Sequence, residues 1–95
     1  MNVLKAVAQG LGIVRGRVRD WCEWATANPA AAVTYCEVSL NVLDHRIVIL
    51  EGKRIGFFLR RRLRGLRSAR AQVVDLRQYF QRLASEQDTN PIDIR

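Results

Sequence analysis

The chain has 95 residues, which allows one domain that buries roughly 60–65% of its unfolded surface, enough for a core but not for a core plus a deep catalytic cleft. A hydrophobic fraction of 48% beside 26% charged residues excludes a disordered composition, and no uncharged apolar run reaches the ~18 residues that a spanning helix needs. The net charge of +7 is concentrated: residues 1–52 set five bases against five acids, whereas residues 53–86 set ten bases against Asp75 and Glu86 alone. Basicity gathered in one segment points to a polyanionic partner: nucleic acid, an anionic membrane or an acidic protein face. Only Lys5 and Lys53 of the 16 bases are lysine. Guanidinium forks suit bidentate phosphate contacts, although high-GC coding also favours arginine.

The first helix is expected over about residues 2–27. Leu4, Val7, Leu11, Val14, Val18, Trp21 and Ala25 recur at alternating steps of three and four, which makes a narrow heptad seam. Gly10, Gly12 and Gly16 weaken it, each by about 0.8–1 kcal/mol relative to alanine. Ala8, Gly12 and Gly16 are four apart, a weak signal for close backbone approach. Lys5 alone precedes a short apolar stretch broken by Gln9, so no secretory signal is expected. The expected setting is the reducing cell interior or the inside of a virus or phage particle.

Asn28-Pro29 marks a boundary, with proline suited to a first helical position and asparagine able to cap it. A second helix is expected over about residues 29–50, with a seam of Val33, Cys36, Leu40, Leu43, Ile47 and Leu50. Tyr35, Val38, Val42, Val48 and Ile49 lie on its other faces, the pattern of a central helix. After Glu51-Gly52-Lys53, whose glycine suits a left-handed cap, a third helix is expected over about residues 53–86. Its apolar residues run from Ile55 and Phe58 through Leu63, Leu66, Ala69 and Val73 to Leu76, Phe80 and Leu83. Residues 87–95 are expected to be an irregular or extended tail.

These seams predict an all-α, up-down-up three-helix arrangement of two antiparallel hairpins within one domain, residues 1–86. The expected facing pairs include Val14/Leu43 and Leu11/Ile47 in the first hairpin, and Ile47/Phe58 and Leu43/Leu63 in the second. By that register the third helix outruns its partner beyond Leu76, by roughly 15 Å at 1.5 Å per residue. Leu76, Tyr79, Phe80 and Leu83 on that overhang are candidate contacts for another chain, in a homo-oligomer or a larger assembly. A tail folding back through Ile92 and Ile94 is the alternative cover.

Arg60, Arg61, Arg64, Arg67 and Arg70 are the candidate polyanion-binding residues. Arg60, Arg64 and Arg67 share a narrow sector, Arg70 flanks the seam, and Arg62 lies close enough to it to snorkel or to pair with Asp44. Such a row can track a phosphate backbone with salt-sensitive, sequence-tolerant binding. No aromatic is interleaved on that face, so recognition of single strands by base stacking is disfavoured.

Nothing points to catalysis. There is no Gly-rich phosphate loop, nucleophile elbow or Cys–His constellation, and His45 lies too far from Cys22 for zinc-ligand spacing. Cys22 and Cys36 read as free thiols, although both lie near the shared turn, where a disulfide is geometrically conceivable. No cofactor or metal is expected. The composite expectation is a non-enzymatic helical interaction protein presenting arginines to a polyanion, as a subunit or accessory of a nucleoprotein assembly of viral or phage type. The alternatives are a free-standing double-stranded RNA or DNA binder and a peripheral membrane protein that uses Met1–Val18.

Overall fold

A computed structural model describes residues 3–53 and 56–89, with backbone only at residues 88 and 89. Among the described residues there are four α-helices and no strand: α1 Val3–Leu11, α2 Val18–Ala27, α3 Pro29–Glu51 and α4 Phe57–Thr89. The all-α expectation holds, but the first helix is two helices.

The break falls at Gly12, the one described residue with positive φ (70°). The Ile13 N–H donates to the Ala8 carbonyl at 3.0 Å and the Gly12 N–H to the Gln9 carbonyl at 3.3 Å. This pair of bonds is a Schellman C-cap, which needs a residue in the left-handed region and so selects glycine. Val14 then turns extended and a single 3₁₀ turn, Arg15–Arg17, leads into α2. Val14, expected to face Leu43, is 74% exposed as a result.

The break separates α1 from α2. Lys5 lies beside Phe58 and Arg61, and Gly10 lies against Ala69 and Val73, so α1 runs in the same direction as α4. The Leu11 carbonyl accepts a hydrogen bond from the Tyr35 hydroxyl at 3.0 Å, well towards the Asn28 corner from the Ile47 partner that an unbroken helix required.

At that corner Pro29 opens α3 as expected, but Asn28 does not cap it. Its side-chain amide instead donates back to the Trp24 carbonyl at 3.0 Å, closing the end of α2. Gly52 ends α3 with right-handed helical angles, not the left-handed cap expected of it.

Helix α4 starts at Phe57, four residues later than expected, and its register along α3 also differs from the expected one. Asp44 pairs with Arg70 rather than Arg62, while Glu51 pairs with Arg67 and Glu37 with Arg77. These descending and ascending numbers make α3 and α4 antiparallel. Leu43, Ile47 and Leu50 of α3 pack with Leu63, Leu66, Ala69 and Val73 of α4, joined by Val7, Ala8 and Leu11 of α1. Phe58, expected against Ile47, is exposed, and so are Val38, Val42, Val48 and Ile49. Helix α3 is therefore covered on one side, not on all. Helix α4 also runs through Gln87 to Thr89, where the tail was expected to begin; the proposed fold-back of Ile92 and Ile94 lies outside the described residues.

The expected overhang is corrected at its centre. Phe80 is only 2% exposed because Trp21 of α2 lies over it edge-on, ring centroids 5.6 Å apart. Trp21 also meets Tyr35 edge-on at 5.5 Å. Helix α2 thus supplies the cover that α3 could not, and an aromatic cluster closes that half of the molecule.

Candidate polyanion-binding groove

Helix α1 rests on α4 at close range because the contact is built from small residues. Gly10 has no side chain to hold it off Ala69 and Val73, and Ala8 and Gly65 are both buried where the helices pass. Close approach turns the side chains flanking the seam into the walls of a groove. Lys5 and Gln9 stand on the α1 side, Arg61, Arg62 and Arg64 on the α4 side, Ala8 and Gly65 line the groove between them, and Phe58 stands at one end.

The helical repeat sorts the arginines by their distance from the α3 contact. Arg67, Arg70 and Arg77 sit beside α3, which meets each with a carboxylate: Glu51 at 2.6 Å from Arg67, Asp44 in hydrogen-bond contact with Arg70, and Glu37 at 2.9 Å from Arg77. The hydrogen bond and the charge of Asp44 raise the Arg70 pKa further, locking it as a cation. These pairs are partly solvated, so each is worth about 0–1 kcal/mol. They nevertheless occupy the guanidinium forks with internal partners.

Arg61, Arg62, Arg64 and Lys5 face a different neighbour, α1, which carries no acid. Among the described residues none of the four has an ion-pair partner, and no carboxylate lines their groove. Four positive charges on shared walls repel one another, and a multivalent anion between them relieves that repulsion. Arginine forks can hold phosphate oxygens in pairs, while the lysine adds a point charge opposite.

Of the five candidate arginines, then, Arg61 and Arg64 meet in the groove. Arg60 is exposed outside it, and Arg67 and Arg70 are held by α3. The sequence reading missed Lys5 and Arg62 because it gave the first helix no contact with the third. The paired small residues, Ala8 and Gly10 against Gly65 and Ala69, were the available signal. It also placed no aromatic beside the arginines, yet Phe58 borders the groove.

On the α4 end, Leu76 and Leu83 are half-buried against the core and Phe80 lies within it, which leaves Tyr79 as the exposed member of the contact set, 50% accessible. Cys22 and Cys36 are free thiols. Burial pushes the Cys36 thiol up to about 11, with Arg77 lowering it and Glu37 raising it. No cluster of metal-ligating side chains occurs among the described residues, and no described helix is long and apolar enough to cross a membrane. No family model matches the chain, nor does any curated protein or solved structure.

Proposed function

We propose that this is a non-enzymatic helical interaction protein that holds the phosphates of a polyanion in the α1–α4 groove. The observation that carries this reading is the grouping of Lys5, Arg61, Arg62 and Arg64 with no carboxylate among them, set against the neighbouring Arg67 and Arg70, which are already neutralised. The contrast also supplies the test. Heparin serves as a generic polyanion, with retention measured against salt. R61Q/R64Q should elute at markedly lower salt than wild type, and R67Q/R70Q should elute close to it. Equal losses in the two variants, or no retention of the wild type at low salt, would remove the groove from the argument.

A second reading, assembly with further copies or as part of a nucleoprotein particle, is favoured by one observation: Val38 and Val42, which line a cleft between α3 and the end of α1, are 58% and 47% exposed. With Phe80 internal, α3 is a better candidate for that contact than the end of α4. A strictly monomeric mass at high concentration would count against self-assembly.

A further inference from the structure

The apolar side chains that the fold leaves outside are not scattered. Phe57 and Phe58, 72% and 82% exposed, stand on the first turn of α4. Their rings pack edge-on against each other with centroids 5.6 Å apart, forming one apolar knob. Because α1 runs with α4 and α3 runs against it, the start of α1 and the last turns of α3 reach the same end of the molecule. They add Val3 there, 59% exposed, and Val48 and Ile49, 65% and 44% exposed. The basic groove begins at this end too, with Phe58 bordering it beside Lys5, Arg61 and Arg62. Gln9, Arg46, Lys53 and Arg62 meet beside Ile49.

We propose that this end docks on an anionic lipid bilayer, with Phe57 and Phe58 entering the interface while Lys5, Arg61, Arg62 and Arg64 take the lipid phosphates. The inference rests on the polyanion reading above and names the polyanion.

Three features favour a bilayer over nucleic acid. Edge-on rings offer no flat platform for successive bases, which is what aromatic side chains give a single strand. Phe57 does not line the groove, so a nucleic acid held there leaves it in water, whereas a membrane interface covers both rings. Aromatic and aliphatic side chains beside a cluster of bases match the two layers of such an interface, acyl boundary below and anionic headgroups above. No described helix can span a bilayer, so the association is peripheral, with the apolar end entering about 5–10 Å.

Flotation with phosphatidylcholine vesicles, with and without phosphatidylserine, tests the proposal on the full chain, with heparin retention and binding to a labelled DNA duplex measured in parallel. The wild type should float with anionic vesicles and not with neutral ones, and added salt should release it. F57S should lower the partition coefficient about tenfold, the order expected for one phenyl ring returned to water. Its helix content, melting and heparin retention should stay as in wild type, because Phe57 touches neither core nor groove. F57W, which keeps an aromatic ring, should restore the partitioning. R61Q/R64Q should lose vesicles and heparin together. Heparin or duplex binding without flotation, or F57S floating like wild type, would overturn the membrane assignment and leave the polyanion reading standing. Loss of heparin retention in the wild type would overturn both.

Discussion

Replacing Gly10 with alanine sets two effects of opposite sign against each other. Gly10 is the eighth residue of a nine-residue helix, and propensity alone makes alanine there better by about 0.8–1 kcal/mol. Packing opposes this. A Cβ on Gly10 would lie 2.4 Å from Val73 Cγ2 and 3.0 Å from the Ala69 carbonyl oxygen. Val73 and Ala69 are both 0% exposed, so neither can swing away, and overpacking of this kind costs about 1–3 kcal/mol. Packing should win, giving Gly10→Ala a net destabilisation of up to about 2 kcal/mol. The two contributions separate in a double-mutant cycle with Val73→Ala, which removes the nearer obstacle and leaves the carbonyl. Urea denaturation of the four proteins should give a favourable coupling of about 1–2 kcal/mol between the substitutions. The groove adds a second readout, because a lifted α1 carries Lys5 away from Arg61, and heparin retention should weaken in Gly10→Ala. A stabilised Gly10→Ala with no coupling to Val73→Ala would refute the close contact of α1 with α4, and the groove with it.

Phe80→Ala should cost about 3–5 kcal/mol in urea denaturation, the range for truncating a buried phenylalanine; a near-neutral result would mean that Phe80 belongs to an exposed contact surface after all. Cys36 makes stability depend on alkaline pH. Its thiol rises from 9.0 to about 11 on folding. Below pH 9 both states hold the proton and this stabilisation is fully present. As pH climbs towards 11 the unfolded chain ionises first and stability falls, by up to about 2–3 kcal/mol from this group. Cys36→Ala should flatten that part of the pH–stability curve, and an unchanged slope would show that Cys36 is not the group responsible.

The parts of the fold readable from residue order are those set by local chemistry. Pro29 fixes the start of α3, and the three–four spacing from Leu63 to Leu83 marks the buried side of α4. The failures come from positions where one residue redirects a whole helix. Gly12 counted as one of three weak helix formers, but only its place one residue past Leu11 lets the left-handed cap form, and spacing does not distinguish it from Gly16. The register of α4 along α3 differs from the expected one, so Asp44 meets Arg70 and Phe58, which periodicity assigned to the core, stands exposed at the tip. Trp21 over Phe80 was illegible for a related reason. The contact depends on which turn of α4 comes level with α2, and no pattern within either helix records that register.

The site shows the same division more sharply, because charge does not reveal its partner. Arg60 to Arg70 look alike as a string, and a wheel sorts them only by angle about one axis. Their chemical difference comes from the neighbouring helix. Helix α3 carries Glu37, Asp44 and Glu51 at intervals of seven, one acid every two turns on the side that meets α4, and these neutralise Arg77, Arg70 and Arg67 in turn. Helix α1 offers α4 no acid at all; it brings Lys5 instead. The acidic heptad of α3 was visible in the sequence, and with it the expectation that part of the arginine face is spoken for internally. That the rest opens onto α1, which brings Lys5 and no acid, depends on α1 lying against α4, and no charge pattern records that contact. The unpaired charge of the groove is therefore a product of the close α1–α4 contact, and a substitution that lifted α1 from α4 at Gly10 would dismantle the site while leaving every arginine in place.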